Sequence, residues 1–208
     1  MLYKDVDFTR FITFLQNIND QDVYEEKASE SHNQIMIAFI NQLVMFLPKG
    51  GSVLDVGCGY GFALEEFIKR GFKPVGITIG REDYNVCKEK GLDVEIMDQS
   101  FLTFKENMFD LVWCRHCLEH SIMPFFTLSE FYRVSKKNSY LFVEVPLADT
   151  CFNHQRNPNH YSVLPKSSWL SLIERAGYKI LDSSEPDLRS ALNPNDKDRY
   201  LAILAQKI

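Results

Sequence analysis

The hydrophobic pattern of this chain changes character near residue 50. In the first 47 residues, apolar side chains recur every three or four positions, which is typical of amphipathic helices. The clearest set comprises Phe8, Phe11, Ile12, Leu15 and Ile18. A second helix is expected from about Ser31 to Leu47, where the sequence Pro48-Lys49-Gly50-Gly51 ends it. The pattern therefore predicts a helical N-terminal region.

From residue 52 onward, short runs rich in β-branched and aromatic residues alternate with helical stretches. The predicted strands are Ser52–Val56, Pro74–Ile79, Asp93–Met97, Leu111–Trp113, Tyr140–Val145, Tyr178–Leu181 and Tyr200–Gln206. The predicted helices are 61–70, 81–90, 124–136 and Trp169–Ala176, and a polar loop spans 182–198. Strands that alternate with helices form right-handed crossovers, so we predict a largely parallel sheet in one α/β domain.

Composition excludes several classes of protein. The 208 residues are 45% hydrophobic and 25% charged, which excludes intrinsic disorder, collagen and a coiled coil. The net charge of −5 disfavours nucleic acid as the main partner. Five scattered cysteines suggest reduced thiols. The N terminus does not resemble a signal peptide, and the apolar stretch Ile35–Leu47 is too short for a membrane span, so we expect a cytoplasmic protein without a membrane partner.

The strongest chemical signal is a glycine-rich turn that follows the first predicted strand. The segment reads Val53-Leu54-Asp55-Val56-Gly57-Cys58-Gly59-Tyr60-Gly61, and a helix is predicted directly after it. Glycines let a ligand approach the backbone, and a helix N-terminus offers unpaired N–H groups to an anionic group. The dinucleotide fingerprint G-x-G-x-x-G would require glycine at position 62, where this chain has Phe62, so a nicotinamide cofactor is disfavoured.

The pattern D-x-G-x-G-x-G resembles the class I S-adenosylmethionine (SAM) dependent methyltransferases, in particular the small type related to ubiquinone-biosynthesis and sugar or small-molecule enzymes. Later segments extend the resemblance over about residues 50–205: Phe109–Trp113, Leu118-Glu119-His120, Glu130–Val134, Tyr140–Pro146, His160–Val163 and Ala176–Tyr178. The resemblance implies a Rossmann-like, doubly wound seven-stranded sheet, mostly parallel with the last strand antiparallel. It implies a methyltransferase domain at 49–208 and a helical extension or lid at 1–48.

The resemblance also implies SAM as cofactor and S-adenosylhomocysteine as product. The residues expected to hold it are Asp55, Gly57, Cys58, Gly59, Gly61, Thr78, Asp98, Gln99 and Cys114. Thr78 departs from the family, which normally has at this position an acid that binds both ribose hydroxyls. Asp98 matches the family acid that accepts from the adenine amino group, and this role is favoured over the alternative that Asp98 is only a turn or cap residue.

Histidines concentrate where the resemblance places the mouth of the active site. His116 and His120 follow the fourth strand, and His154 and His160 follow the fifth. Because histidine titrates near neutral pH, we expect His116, His120 and His160 to be the catalytic acid–base residues. The polar segment 151–161 is expected to select the acceptor. Its candidate substrate residues are His154, Arg156 and Tyr161.

A metal site is an alternative use of the same residues. His116, Glu119 and His120 form an H-x-x-E-H string that would share one face if the segment were helical, and His154 or His160 could complete the shell. The string resembles the metal motif of the small-RNA 2′-O-methyltransferases and of some ubiquinone-pathway enzymes. The Leu-Glu-His segment is also common in metal-free relatives, so structural or acid–base histidines are favoured over a divalent metal.

The sequence therefore predicts an enzyme that transfers the methyl group of SAM to oxygen or nitrogen of a small molecule. Two alternatives remain open. One is a metal-assisted O-methyltransferase that uses His116, Glu119 and His120. The other is a SAM-binding module without catalysis, an option that the departure at Thr78 keeps open.

Overall fold

A computed structural model describes residues 7–19, 30–187 and 198–208. The helices in these ranges are α1 (Thr9–Asn19), α2 (Glu30–Leu43), α3 (Phe62–Lys69), α4 (Arg81–Glu89), α5 (Pro124–Val134) and α6 (Lys166–Arg175). The strands are β1 (Ser52–Val56), β2 (Lys73–Thr78), β3 (Val94–Ile96), β4 (Phe109–Arg115), β5 (Ser135–Pro146), β6 (Tyr178–Ser184) and β7 (Tyr200–Lys207). Two single 3₁₀ turns occupy Leu118–His120 and His154–Arg156.

The seven strands form one sheet in the order β3-β2-β1-β4-β5-β7-β6. The pairings from β3 through β5 are parallel, whereas β7 runs antiparallel to both β5 and β6. This arrangement confirms the predicted fold class. The strand order reverses between β1 and β4, and in open α/β sheets a crevice for ligands lies beyond the carboxyl ends of the strands at such a point.

Most predicted elements agree with the observed ones to within a few residues, and the largest difference lies at the start of β5. The predicted helix ran to residue 136, but α5 ends at Val134 and the chain enters β5 at Ser135. Ser135 pairs with Phe109 of β4, and its hydroxyl donates to the carbonyl of Phe131 at 2.7 Å. The polar residues 135–139 carry no strand pattern, and the pairing with β4 shifts register between Ser135 and Tyr140. Only the pairing of Ser135 across the sheet starts the strand this early.

Side chains of β1 alternate between the two faces of the sheet, as strand geometry requires. Leu54 and Val56 enter a core covered by α5 and α6, whereas Val53 enters a second core covered by α2 and α3. In the second core, Trp113 stacks on Phe142 with ring centroids 4.4 Å apart. Both faces of the central strands are therefore buried, which explains their nearly continuous apolar sequences.

The two N-terminal helices differ in how they contact the domain. Met36, Ile40 and Leu43 of α2 are buried in the second core. By contrast, α1 leaves Ile12 and Phe14 about half exposed. No helix in the described ranges combines the length and apolarity that a membrane crossing requires.

We expect Ile40→Ala to destabilise the domain by about 2–5 kcal/mol, because it removes a fully buried side chain from the core. Urea unfolding would measure this loss. The matched change Ile12→Ala, at an exposed position of α1, is expected to stay within about 0.5 kcal/mol of the parent protein. Equal effects of the two substitutions would contradict the packing described for α2.

Candidate active site

The glycine-rich loop connects β1 to α3 at the centre of the sheet. Its three glycines have φ values of +72° at Gly57, +48° at Gly59 and +80° at Gly61, in the left-handed region that favours glycine. The N–H groups of Gly57 and Cys58 both donate to the carbonyl of Ile77 at 3.0 Å. These bonds hold the loop against the end of β2.

The space around the three glycines is different in each case. A Cβ at Gly57 would lie 2.6 Å from the sulfur of Cys117, and one at Gly61 would lie 2.3 Å from Leu92. A Cβ at Gly59 would meet no atom within 4 Å. Gly57 and Gly61 are therefore required because neighbouring side chains leave no room for a Cβ atom. Gly59, by contrast, leaves one face of the loop open.

Asp55 lies just before this loop on β1 and is 3% exposed. Its Oδ2 atom has no hydrogen-bond partner among the described residues. Burial raises the pKa of Asp55 to about 7, and the positive charge of Arg115 opposes this shift only in part. A buried carboxylate of this kind is an acceptor to which a cationic or N–H-bearing ligand can bind.

Two further buried acids lie at the same edge of the sheet. Glu144, at the end of β5, accepts a bond from Nε of Arg115 through one oxygen, and its Oε1 has no hydrogen-bond partner in the described chain. Glu119 is 1% exposed, its Oε2 is also unpartnered among described residues, and burial raises its pKa to about 8. The site thus contains three buried carboxyl groups and the guanidinium of Arg115. This excess of acidic groups favours a cationic ligand.

Thr78, which replaces the acid expected at the end of β2, forms two hydrogen bonds through its hydroxyl. The hydroxyl of Thr78 donates to Oδ2 of Asp83 at 3.1 Å and accepts from the N–H of Gly80 at 3.0 Å. Asp83, in the first turn of α4, was not among the predicted site residues. No motif indicated it, because only the folded turn brings its carboxylate to the end of β2.

The other predicted cofactor residues have defined partners. Asp98 accepts from the N–H of Ser100 at 2.7 Å, as a turn residue does. Its contact with adenine stays a prediction. Gln99 donates from Nε2 to the carbonyl of Cys117 at 2.8 Å, and its Oε1 is buried without a partner in the described ranges. Cys114 lies within β4 and not after it, and its side chain is fully buried.

All five histidines of the chain come together near the carboxyl ends of β4 and β5. Successive ring centroids are 5.6, 4.6, 5.2, 5.6 and 4.8 Å apart along the series His32, His116, Tyr200, His154, His160 and His120. The sequence predicted four of these histidines at the site. His32 of α2 and Tyr200 of β7 were missed, because they are distant in sequence from every recognised motif.

The H-x-x-E-H string does not form one helical face, so this premise of the metal alternative is wrong. His116 has a φ of +49° and precedes a 3₁₀ turn of only three residues. The side chain of His116 faces Arg115 and Glu144 instead. Among the described residues, the group that could hold an ion consists of Glu119, His120 and His160, whose ligand atoms all lie within 4.8 Å of one another.

Backbone carbonyls orient the two histidines of this group. Nδ1 of His120 lies 2.8 Å from the carbonyl of Asn159, and Nδ1 of His160 lies 3.1 Å from the carbonyl of His154. Because a carbonyl only accepts, each Nδ1 carries the proton and each Nε2 carries the lone pair. Burial lowers the pKa of both rings, that of His160 to about 4, so both are neutral at pH 7. Neutral, oriented imidazoles of this kind are suitable metal ligands.

The predicted substrate residues fall into two groups. His154 is half-buried, and its Nε2 lies 2.9 Å from Oδ1 of Asp198 and 3.2 Å from the hydroxyl of Tyr200. Arg156 and Tyr161 are exposed. The structure therefore brings His154 into the histidine cluster and leaves the other two side chains exposed.

Comparisons with known proteins show which proteins this chain resembles. A family model described as a methyltransferase domain matches residues 26–183. The ubiquinone biosynthesis O-methyltransferase of Hahella chejuensis is 34% identical over 125 residues, which cover 57% of this chain and 52% of that protein. The enzyme of the same name from Pseudomonas entomophila is 32% identical over 181 residues, which cover 83% of this chain and 70% of the relative. The chain thus spans about half of the first relative.

A solved structure shows the same fold. The crystal structure of a SAM-dependent methyltransferase from Archaeoglobus fulgidus superposes with a TM-score of 0.67 at 21% sequence identity. The match covers 95% of this chain and 99% of that chain. At this level of identity the likeness establishes the fold alone.

The buried carboxyl of Asp55 predicts a pH-dependent stability. In the folded chain this group stays protonated up to about pH 7, whereas an unfolded aspartate loses its proton near pH 4. The folded state therefore binds more protons between these values, and the free energy of unfolding of the ligand-free protein falls as the pH rises through this window. Asp55→Asn removes that contribution.

We expect the free energy of unfolding of Asp55→Asn, relative to that of the parent protein, to increase by about 1 kcal/mol or more when the pH is raised from 5 to 8. Urea unfolding at the two pH values measures the change. Asp93→Asn, the same substitution at an exposed position before β3, serves as the control and is expected to show no such gain. If Asp55→Asn and the parent protein showed the same pH dependence, the raised pKa of this buried carboxyl would be contradicted.

Proposed function

The chain belongs to the methyltransferase-domain family as a class I SAM-dependent methyltransferase, and from this premise we propose that it methylates an oxygen or nitrogen of a small-molecule acceptor. The observation that carries the proposal is the open face at Gly59, in the loop that follows Asp55, whose buried Oδ2 has no hydrogen-bond partner among the described residues. Two relatives are named O-methyltransferases, which favours oxygen as the atom that receives the methyl group.

The residues present fit SAM on chemical grounds. The cofactor carries a sulfonium and an ammonium group, and the buried oxygens of Asp55, Glu119 and Glu144 that lack partners in the described chain favour positive charge. We assign its methionine end to Asp55 and to the backbone of Gly57, Cys58, Gly59 and Gly61. Its adenine is assigned to Asp98 and Gln99, next to the backbone of Cys114.

When bound, SAM supplies an activated methyl group that an acceptor atom can displace. Displacement requires the acceptor, the methyl carbon and the sulfur to be in line, so the chain has to align the acceptor and exclude water. We assign these tasks to the segments after β4 and β5. His116, His120 and His160 remain the acid–base candidates, and His154, Arg156 and Tyr161 the acceptor contacts.

A metal-assisted reaction is the second candidate, and the arrangement of Glu119, His120 and His160 favours it. The set offers a buried carboxylate oxygen and two imidazoles whose Nδ1 protons are held by carbonyls. Two imidazoles and a carboxylate suit a first-row divalent ion such as Mn²⁺ or Zn²⁺ better than Mg²⁺. Such an ion would supply Lewis-acid polarisation of an acceptor hydroxyl, in particular of a vicinal diol.

Binding of S-adenosylhomocysteine tests the cofactor site. We expect binding at micromolar concentration by calorimetry, and its loss in Gly59→Arg, because the new side chain would occupy the open face of the loop. Gly71→Arg is the matched control: Gly71 also has a positive φ of +81°, and a Cβ there meets no atom within 4 Å. Gly71 lies in the turn between α3 and the amino end of β2, whereas Gly59 lies beyond the carboxyl end of β1, so this variant should bind normally.

Turnover separates the enzyme from a SAM-binding module. Transfer of a labelled methyl group from SAM to catechol, or to another acceptor in a screen of small phenols and amines, is expected with the parent protein and not with Gly59→Arg. Binding of S-adenosylhomocysteine without turnover on any acceptor would favour the non-catalytic alternative. No binding by the parent protein would overturn the proposed function.

Titration with Mn²⁺ or Zn²⁺ tests the metal candidate. We expect His160→Ala to weaken binding of the ion at least tenfold, because it removes a ligand, whereas His116→Ala should bind the ion as the parent does. If the parent protein binds neither ion, and EDTA leaves methyl transfer to catechol unchanged, the metal-assisted mechanism is excluded.

A further inference from the structure

A ribose diol presents two neighbouring hydroxyl donors, and a carboxylate is the side-chain group that can accept both. At the end of β2, where a cofactor ribose would be held, this chain has the single hydroxyl of Thr78. That hydroxyl has one proton, which it donates to Asp83, and it also accepts from the N–H of Gly80. Thr78 is therefore already engaged in holding another side chain.

The side chain that Thr78 holds is itself a carboxylate. Oδ2 of Asp83 accepts from the hydroxyl of Thr78, the last residue of β2, at 3.1 Å. The carboxylate therefore lies one hydrogen-bond length from the side chain at the end of the strand. A Cβ on Gly80 would lie 2.7 Å from the same oxygen, so the glycine leaves the room that the carboxylate occupies. The turn thus brings an acid from the first turn of α4 to the end of the strand.

The surroundings of Asp83 place it beside the glycine-rich loop. Cys87, one helical turn after Asp83 on α4, donates from Sγ to the carbonyl of Gly59 in this loop at 3.2 Å. Burial raises the pKa of Asp83 itself, and the other groups that act on it are Thr78 and Glu82, with no cation among them. A half-buried carboxylate that has no cationic partner among the described residues, adjacent to the proposed cofactor loop, is available to hydroxyl donors.

We propose that Asp83 binds the ribose hydroxyls of the cofactor and that Thr78 is the positioning residue that orients its carboxylate. The inference rests on the proposed function, since it concerns the same cofactor. It adds a residue that no motif indicated. If Asp83 binds the ribose, the presence of threonine at position 78 no longer argues for a site without catalysis.

The competing interpretation is that Asp83 only stabilises α4, since an acid in the first turn of a helix interacts favourably with the helix dipole. Glu82 lies in the same turn and accepts from the exposed hydroxyl of Tyr60 at 2.6 Å. Glu82→Gln therefore provides a matched control, with the same loss of charge one residue away. A helix-dipole role would make the two substitutions equivalent in stability and neutral in affinity.

Calorimetry with two probes tests the proposal: S-adenosylhomocysteine and its 3′-deoxy analogue. We expect Asp83→Asn to weaken binding of S-adenosylhomocysteine at least about tenfold, since hydrogen bonds to charged groups are the stronger class. The same variant should weaken the 3′-deoxy analogue much less, because one of the two hydroxyl donors is absent. Glu82→Gln should bind both probes as the parent protein does.

Thr78 requires a separate readout because it acts through Asp83. Thr78→Val keeps the size of the side chain and removes the hydroxyl, and we expect a severalfold loss of affinity for S-adenosylhomocysteine. Thr78→Ser restores the hydroxyl and should restore the affinity. Gly80→Ala adds a methyl group against the Asp83 carboxylate without changing any charge, and its backbone φ of −74° accommodates alanine, so it tests the same geometry if Asp83→Asn fails to fold.

The outcomes separate this inference from the proposed function. If the parent protein does not bind S-adenosylhomocysteine, the proposed function itself fails. If the parent protein binds it and Asp83→Asn binds equally well, or loses the same factor for both probes, only the role of Asp83 is overturned. Thermal unfolding without ligand identifies any variant whose loss comes from instability.

Discussion

The parallel pairing of β1 with β2 on one side and β4 on the other is the constraint on which the site depends. Parallel neighbours end at the same edge, so the chain leaving β1 has to turn over the end of β2 to begin α3. Gly57 and Cys58 make this turn by donating to the carbonyl of Ile77. The same pairing brings the ends of β1, β2 and β4 together, and thereby Asp55, Thr78 and Arg115.

This edge of the sheet is buried, and its burial determines the charge state of the carboxyl groups at the site. Asp55, Glu119 and Glu144 lie where water does not compensate their charge, and Arg115 pairs closely with only one of them. Unpaired buried carboxyl groups destabilise a fold, and such groups persist where the surrounding core is large enough to offset their cost. The two apolar cores on either face of the sheet supply that stability.

The candidate residues divide according to whether they belong to a local motif. The glycine-rich turn, Asp55 and the histidines after β4 and β5 lie in short segments whose chemistry can be recognised without a structure. Asp83, His32 and Tyr200 carry no such signal, because each reaches the site from an element that is remote in sequence or turned toward it by packing. Glu119, His120 and His160 likewise form a group only because a loop folds back beside a 3₁₀ turn.

The sequence by itself determined the fold class, the order of the strands and helices, and the position of the glycine-rich loop, because hydrophobic period and glycine placement are local properties. It did not determine that β5 begins at Ser135, that His116 faces Arg115 and Glu144, or that Asp83 stands beside Thr78. These features depend on pairing across the sheet and on close packing between distant segments. Tertiary structure decided them, because contacts between residues far apart in the chain leave no periodic trace in it.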